Sequence, residues 1–234
     1  MVSIDNVYKT VLNILNKENR GYITPAEINS LANQAQNEIF EGYFSLRNYV
    51  VSNDSDYSDI RKNVEEKIAL FENEETISAG TFSNAAGNTT SSYYAYPSNF
   101  FRLGTVSANA IHASEVSSQK ILYLNRSPLT KPTVNNPVYI RHEGGVVMYP
   151  TTGITSIDIN YIRKPAEVKW VGGTAAGQVV ANLSASDYQN FELHASEEHE
   201  LVVKILSYAG VIIRAADITQ AAAAKEQQII QSER

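Results

Sequence analysis

Residues 16 to 27, N-K-E-N-R-G-Y-I-T-P-A-E, have part of the spacing of a calcium-binding loop. An EF-hand loop has a Gly at its sixth position, usually an Ile at its eighth and a bidentate Glu at its twelfth. Those three positions are filled here by Gly21, Ile23 and Glu27. The first, third and fifth ligand positions are filled by Asn16, Glu18 and Arg20. The ligand set is weak because Arg20 puts a cation where calcium needs an oxygen atom.

Two helix ends explain the same residues without an ion. Gly21 is typical of the residue that follows a helix, where a left-handed backbone is common. Thr24 and Glu27 have the spacing of a capping box, and Pro25 suits the first position of the new helix. We therefore predict a helix-loop-helix corner. A degenerate EF-hand-like calcium-binding module stays open as the alternative.

The histidines offer a second possible metal site. They are His112, His142, His194 and His199. The carboxylates near the last two are Glu192, Glu197 and Glu198. A zinc-binding helix needs His at positions i and i+4 with a Glu directly after the first His, and this pattern is missing. The chain also has no Cys, so it has no thiolate metal site. We expect His194 and His199 to be solvated capping residues, and we expect no metal and no cofactor.

Motifs of nucleophilic or phosphate chemistry are absent from the sequence. It has no G-x-S-x-G elbow, no G-x-x-x-x-G-K-S/T loop and no G-x-G-x-x-G fingerprint. We therefore expect no catalytic residues and no enzymatic activity. A group of aromatic residues could stack on sugars or bases, and it comprises Tyr93, Tyr94, Tyr96, Phe100 and Phe101. Aromatic residues also fill strand faces and subunit interfaces, and we favour an interface.

The composition is that of a globular chain with a modest acidic excess. Its 234 residues are 43% hydrophobic and 19% charged, which fits one domain or two small ones. The net charge is −6 and the 19 Lys and Arg residues are spread thinly, which argues against specific recognition of DNA or RNA. The chain shows neither a basic, apolar leader nor a long apolar run, so we expect no secretory signal and no membrane span.

Helical periodicity dominates the first third of the chain. Apolar residues at i, i+3, i+4 and i+7 predict a helix over 3–16, and a second helix is expected from Pro25. The predicted buried stripe of the second helix is Ile28, Leu31, Ala35, Ile39 and Phe40. A third helix is expected from Ser58 to about Glu72. Residues 1–75 are therefore predicted to form an N-terminal helical part.

The middle of the chain has the signals of short strands. Residues 78–92 are rich in Ser, Thr, Asn, Gly and Ala, which predicts a flexible exposed loop or a mobile hairpin. The predicted strands are F-F-R-L-G-T-V, K-I-L-Y-L-N, P-V-Y-I-R-H, V-V-M-Y-P and S-I-D-I-N-Y-I-R. Gly144 and Gly145 are expected to supply the positive φ angles of a tight turn. We expect an antiparallel β-domain over 76–177, with a turn-rich stretch at 171–177.

Helical signals return in the C-terminal part, over 178–234. The predicted buried face is Leu201, Ile205, Tyr208, Ala209 and Ile212. Glu197 and Glu198 suit the positive end of this helix dipole. A last Ala- and Gln-rich helix over 217–232 is expected to project toward a partner. The predicted fold class is α+β, with an N-terminal helical bundle or hairpin, a central antiparallel β-domain and C-terminal helices that pack back on the bundle.

Four stretches, taken in order, carry a resemblance to a known family. They are R-G-Y-I-T-P-A-E-I-N from Arg20, Y-P-S-N-F-F-R-L from Tyr96, Y-I-R-K-P from Tyr161 with Trp170 after it, and F-E-L-H-A-S-E-E-H-E-L-V-V-K-I-L from Phe191. Together they resemble the head-to-tail connector proteins, also called adaptor or ring proteins, of short-tailed bacteriophages. The similarity is greatest to those of crAss-like phages that infect gut Bacteroidales, and it touches both ends and the middle of the chain.

The resemblance implies a structural virion protein, many copies of which form a ring of about twelve at the portal vertex, around the DNA exit channel. Its partners would be copies of itself, the portal protein, adjacent ring or tail proteins, and DNA that passes through the lumen without sequence recognition. It would be located in the virion, at the portal vertex or tail, and in the host cytoplasm during assembly. A phage tail protein that binds or processes glycans is the other alternative.

The same resemblance implies a role for each of two segments. The final helix would dock on the portal or on an adjacent ring, and the 78–92 segment would become ordered only on assembly. A mildly acidic chain also suits a DNA conduit, because a basic lumen would retain the phosphates that must slide past it.

Overall fold

The computed structural model describes residues 1–17, 23–52, 58–83, 89–175 and 178–213, and it has the α+β class that the sequence predicts. The chain forms two compact units. The helical unit comprises Met1–Leu70 and Pro165–Arg234, and the β unit comprises Phe71–Lys164. In the sequence, the β unit is therefore an insertion between the two parts of the helical unit.

Helices at both ends of the described chain flank a strand-rich middle. The described helices are α1 (Ile4–Lys17), α2 (Pro25–Ser52), α3 (Ser58–Ala69), α4 (Ser118–Arg126) and α5 (Glu198–Ile213), with a 3-10 turn at Ala195–Glu197. The described strands are β1 (Glu72–Ser78), β2 (Gly80–Ser83), β3 (Thr89–Ala95), β4 (Phe100–Ala108), β5 (Ile111–His112), β6 (Ser114–Glu115), β7 (Val138–His142), β8 (Gly145–Tyr149), β9 (Ser156–Arg163), β10 (Gly172–Ala175) and β11 (Gln178–Ala181).

Buried apolar faces on α2 and α5 organise the helical unit. All five residues of the stripe predicted for α2 are buried. Helix α5 packs against α1 and α2 and buries Leu201, Ile205 and Ala209. Burial of a Leu or Ile side chain contributes roughly 1.5–3 kcal/mol to folding. The predicted return of a C-terminal helix onto the N-terminal helices is confirmed for α5, whereas 217–232 lies outside the described residues.

Two sheets stack face to face in the β unit. The four-stranded sheet has the order β1-β9-β4-β5, and the five-stranded sheet has the order β2-β3-β8-β7-β6. All the pairs are antiparallel except β6 with β7, which run parallel. Alternation along β9 buries Ile157, Ile159 and Tyr161, as predicted. These residues share one core with Tyr94 and Met148 of the other sheet, so the core lies between the two sheets.

Helix α4 covers the outer face of the five-stranded sheet. On β7, Tyr139 faces the core between the sheets, and its neighbours Val138 and Ile140 point to the opposite side. Ile121 of α4 packs there with Val138 and Ile140. The β unit therefore has three layers, which are α4, the five-stranded sheet and the four-stranded sheet.

The strand predicted for K-I-L-Y-L-N is wrong, because these residues lie in α4. Ser117 caps this helix, and its side-chain oxygen accepts a hydrogen bond from the Lys120 backbone N–H at 3.3 Å. Ile121 and Leu124, three positions apart, form the face that packs on the sheet. A short apolar run fits a strand or a buried helical turn equally well, so periodicity could not separate the two.

Of the two alternatives predicted for 78–92, the loop is wrong for 80–83 and 89–92, which form strands β2 and β3. These two strands pair antiparallel, as the hairpin alternative requires. Residues 84–88 lie outside the described residues. Ser and Thr are acceptable in strands once a neighbouring strand completes the hydrogen-bond ladder, and here β8 pairs with β3. The turn-rich stretch at 171–177 also differs from the prediction, because its described residues 172–175 form β10, which pairs with β11.

The β7–β8 turn uses its two glycines differently from the prediction. Gly144 has φ +76°, but Gly145 is the first residue of β8 and pairs with Ala95. A Cβ atom on Gly145 would collide with the carbonyl oxygen of Tyr94 and lie 2.7 Å from the ring of Tyr93. The second glycine is therefore required by a close approach of strands and not by a positive φ angle.

Candidate functional site

The corner before α2 uses the residues of the possible calcium loop as a helix cap. The Glu27 backbone N–H donates to Thr24 Oγ1 at 3.3 Å, and the Thr24 backbone N–H donates to Glu27 Oε2 at 2.8 Å. The hydrogen bonds that the Glu27 carboxylate accepts from the Thr24 backbone N–H and the Thr24 hydroxyl lower the pKa of this carboxyl group. The capping box is confirmed, and its carboxylate is the one a calcium loop would use as the bidentate ligand. Residues 18–22, which include Gly21, lie outside the described residues.

His194 caps the 3-10 turn that leads into α5. Its Nδ1 accepts a hydrogen bond from the Ser196 backbone N–H at 3.3 Å, so the prediction of a capping residue is confirmed for this histidine. His199 is exposed in the first turn of α5, and His112 and His142 are exposed on strands of the β unit. Among the described residues, no group of three or more His, Cys, Asp or Glu side chains could hold a metal ion.

The carboxylates near the C-terminal histidines are engaged elsewhere. Glu192 Oε2 accepts a hydrogen bond from the Ala166 backbone N–H at 2.9 Å. Glu197 is buried and lies 2.6 Å from Lys67 Nζ of α3. The sequence places Glu197 at the start of a helix dipole, and it does stand in the turn before α5, but its partner is a lysine far away in the sequence. Removing one member of a buried ion pair leaves an uncompensated charge, so this pair has a structural role.

The aromatic group forms part of the interior of the β unit. Tyr94 is fully buried and its hydroxyl donates to the Ile154 carbonyl oxygen at 3.0 Å. The Tyr93 hydroxyl donates to the Glu143 carbonyl oxygen at 3.2 Å. Tyr96 and Phe100 stack on each other with ring centroids 3.9 Å apart.

Burial raises the pKa of Tyr96 to about 12. Phe101, like Phe100, is half-buried. Tyr93 and Tyr94 therefore fill strand faces, and Tyr96 already uses one ring face for Phe100. This arrangement offers little open aromatic surface for a sugar or a base.

A shallow groove of about 590 Å³ crosses the helical unit beside α2. Its lining residues are Ala26, Asn29, Ser30, Asn33, Glu167, Val168, Lys169 and Asp187. Lys169 Nζ lies 2.8 Å from Asp187 Oδ2 at the exposed rim, and this hydrogen bond lowers the pKa of Asp187. The groove has a polar floor, and the amide groups of that floor already have partners.

Two asparagines on α2 hold the extended segment 166–170 along the groove. Asn29 Nδ2 donates to the Trp170 carbonyl oxygen at 3.0 Å, and its Oδ1 accepts from the Trp170 backbone N–H at 2.8 Å. Asn33 makes the same pair with Val168, at 2.9 and 2.7 Å. We call this arrangement the asparagine clasp. It satisfies backbone groups that would otherwise be orphaned, so these asparagines are structural.

The outer face of α4 carries two exposed apolar side chains. Leu122 and Tyr123 are 66% and 72% exposed. Arg126 follows Leu122 by four residues and Tyr123 by three, so the three side chains share one face, turned away from Ile121. Leu129, 93% exposed, lies in the turn just after the helix. We call Leu122, Tyr123 and Arg126 the α4 face.

The four-stranded sheet carries carboxylates on the side that faces away from the core. Ile77 of β1 packs against the core, so Glu72 and Glu74, an odd number of positions away, point outward. Asp158 of β9 lies outward as well, since Ile157 and Ile159 point inward. We call Glu72, Glu74 and Asp158 the acidic face. Arg102 of β4 pairs with Ile162 and therefore lies on the same outer side, beside the three carboxylates.

Sequence reasoning missed both of these surfaces. The α4 face depends on a helix where a strand was predicted, and a strand would have divided Leu122 and Tyr123 between two sides. The acidic face depends on β1, which starts at Glu72, the residue near which α3 was predicted to end. The signal for α4 was present in Ser117, a favourable N-cap residue three positions before Lys120, where the predicted strand begins.

A scan against protein-family models and a search of curated proteins found no match for this chain. No helix in the described ranges combines the length and the apolar character that a membrane span requires.

Proposed function

We propose that this chain is a structural virion protein that forms an oligomeric ring at the portal vertex. The ring joins the capsid portal to the tail and lines the channel through which DNA leaves. The protein works by assembly and sealing, without a chemical reaction. Its partners are copies of itself, the portal protein and the adjacent ring or tail proteins.

The nested architecture carries this proposal. The resemblance to the connector family implies a helical bundle, an attached β-domain and a C-terminal helical segment. The described chain has a helical unit built from both ends of the sequence, with the β unit inserted between α3 and Pro165. Helix α5 packs on α1 and α2, so residues beyond 213 continue from a helix that is anchored to the bundle.

Ring assembly places two demands on such a subunit. Each copy contacts its neighbours through two different surfaces, because a closed ring of more than two copies uses heterologous interfaces. The wall of the lumen must also let DNA slide, and a chain with net charge −6 provides few clustered cations to retain it.

Electron microscopy of purified virions tests the proposal directly. The full chain would carry a small epitope tag, and gold-labelled antibody would locate it. We expect label at one vertex only, at the junction of capsid and tail. Label spread over the capsid, label at the distal tip of the tail, or absence of the protein from purified virions would each contradict the proposal.

A reconstitution experiment gives an independent reading. The full chain would be mixed with the portal protein of the same phage, and native mass spectrometry would count the copies bound. We expect each portal to bind enough copies of the chain to form one or more complete rings. A chain that stays monomeric both alone and with the portal would contradict ring formation.

A further inference from the structure

We infer that the α4 face of one copy binds the acidic face of the next copy. This inference rests on the proposed ring, and it specifies which surfaces the neighbours use. It commits to a second copy of this chain as the occupant of the α4 face. Three observations support it, which are the exposure of the α4 face, its charge, and its position in the layers of the β unit.

The α4 face has the residue types of a protein interface. Tyr and Arg are enriched among the residues that contribute most to association, and Leu122 adds apolar area beside them. Leu122 and Tyr123 are 66% and 72% exposed although both belong to a short helix that packs on a sheet. Monomeric proteins leave single apolar side chains exposed, but neighbouring ones with a basic rim mark an interaction site.

The charge around α4 is complementary to the acidic face. No Asp or Glu lies between Val116 and His142, and the exposed cations on α4 and in the segment just after it are Lys120, Arg126 and Lys131. No ion pair involves these three cations within the described residues. The acidic face presents three carboxylates on one side of two paired strands of a neighbouring copy. Complementary surface charges steer encounter and fix the register of two partners.

The layer order places the two surfaces on opposite sides of the β unit. Helix α4 covers the outer side of the five-stranded sheet, whereas the acidic face is the outer side of the four-stranded sheet. One copy therefore presents the basic, apolar surface on one side and the acidic surface on the other. Contact between unlike surfaces leaves each copy with one free surface for the next neighbour, which is the heterologous pattern that a ring of more than two copies requires.

Photo-crosslinking identifies the occupant of the α4 face. Tyr123 of the full chain would be replaced by p-benzoylphenylalanine, and this chain would be mixed with an isotope-labelled chain and the portal protein before irradiation. We expect mixed-isotope crosslinks to the strands that carry Glu72, Glu74 and Asp158. Crosslinks only to the portal, crosslinks to another part of this chain, or no crosslinks between copies would overturn the inference.

Charge reversal supplies a second measurement. Arg126→Glu alone, or Glu72→Lys with Glu74→Lys, should weaken association between copies about tenfold, and the chain with all three changes should recover most of that loss. Two controls lie outside the two faces. Lys62→Glu on α3 has the charge change of Arg126→Glu, and Glu143→Lys in the β7–β8 turn has the charge change of each single Glu→Lys substitution. Failure of the triple variant to recover, or equal weakening by the controls, would overturn the inference.

The outcomes separate this inference from the proposed function. If rings form on the portal but Tyr123 crosslinks elsewhere, the function stands and the assigned interface is wrong. If the tagged chain is absent from the portal vertex and forms no rings, the proposed function itself fails. Thermal unfolding of each variant, followed by circular dichroism, shows that a loss of association is not a loss of fold.

Discussion

At the scale of single residues, the capping box before α2 shows how one carboxylate can fit two explanations. Glu27 stands at the position of a bidentate calcium ligand, and the same carboxylate accepts hydrogen bonds from the backbone N–H and the hydroxyl of Thr24, both at 2.8 Å. These bonds satisfy a backbone donor at the start of a helix, where donors lack partners within the helix. The two explanations make different predictions for calcium and for pH.

Loss of the capping box should lower stability without any effect of calcium. Thr24→Ala should cost about 1 kcal/mol in the free energy of unfolding, because the Glu27 backbone N–H loses its acceptor. Glu27→Ala should also destabilise the chain. Chemical denaturation measures both effects, and Glu41→Ala, an exposed Glu on the same helix, is the control. Calorimetric heat from calcium in the wild type that disappears in Glu27→Ala would contradict the capping interpretation.

The contribution of Glu27 should depend on pH in one direction. Its pKa is lower in the folded chain than in the unfolded chain, so the folded chain binds this proton less readily. The stabilisation is therefore complete above the unfolded pKa and is lost as the pH falls through the lower, folded pKa. The difference in stability between wild type and Glu27→Ala should shrink over that acid range. A difference that grows on acidification would contradict the cap.

The β4–β5 turn contains a second residue whose backbone sets stability. Asn109 and Ala110 have φ +51° and +61°, and they form a two-residue connection between paired strands. A left-handed conformation costs a residue with a Cβ atom roughly 1–2 kcal/mol, and Gly avoids this cost. Such turns favour Asn followed by Gly, so the alanine is the unfavourable member of the pair.

Ala110→Gly should therefore stabilise the protein. We expect a net gain of about 0.5 kcal/mol, since the greater freedom of Gly in the unfolded chain offsets part of the relief. Ala79→Gly is the matched control, because Ala79 is exposed and has no positive φ, and it should lose stability. Thermal unfolding of both variants measures the effects. A lower melting temperature for Ala110→Gly would show that the turn is not strained.

At the scale of elements, the asparagine clasp replaces a strand partner by a helix. In an extended segment the backbone groups of successive residues point to opposite sides, so those of alternate residues share one side. Val168 and Trp170 bond to α2, and Lys169 between them exchanges two backbone hydrogen bonds with Gln189. Asn29 and Asn33 are four residues apart, which is a rise of about 6 Å along a helix. Two residues of extended chain rise about 6.6 Å, so the two asparagines match Val168 and Trp170. The clasp thus ties α2 to the chain that enters the C-terminal part.

Asn33→Ala should destabilise the helical unit by about 2 kcal/mol, because it leaves the backbone N–H and C=O of Val168 without their partners. Asn33→Asp should keep the acceptor for the Val168 backbone N–H and lose the donor to the Val168 carbonyl oxygen. Gln34→Ala, at an exposed position beside it, should change stability by less than about 0.5 kcal/mol. Urea denaturation gives all three values. Equal effects of Asn33→Ala and Gln34→Ala would mean that the clasp contributes nothing.

Helix α4 marks the limit of element prediction from sequence. Most predicted elements rest on long periodic runs or on clear alternation, such as α1, α2 and β9, and these are confirmed. The run K-I-L-Y-L-N is too short for its period to be read, and its state was decided by contact of Ile121 with Val138 and Ile140. Tertiary packing overrides weak local preference in such short segments.

At the scale of the whole molecule, the insertion of the β unit between two parts of the helical unit separates two functions that we propose. We propose that the outer layers of the β unit make the contacts between copies. We propose a different contact, with the portal or an adjacent ring, for the C-terminal residues after α5. The two contacts can therefore be broken one at a time.

Deletion of residues 217–234 should abolish portal binding and leave the fold intact. Far-ultraviolet circular dichroism and thermal unfolding would report the fold, and a pull-down with the portal protein would report binding. Arg126→Glu in the full-length chain is the comparison, since it should weaken association between copies and retain single-copy portal binding. Portal binding unchanged by the deletion would refute the role of the C-terminal residues.

The sequence by itself determined the features whose causes are local. The capping box of Thr24 and Glu27, the buried stripes of α1 and α2, and the alternation in β9 follow from neighbours a few residues apart, so the α+β class could be read directly. The tertiary structure alone decided the asparagine clasp, the Lys67–Glu197 pair, and the helical state of α4. These depend on partners as many as 141 residues away in the sequence, as for Asn29 and Trp170. No local pattern encodes such pairs, because they exist only once the chain has folded and brought distant groups within hydrogen-bonding distance.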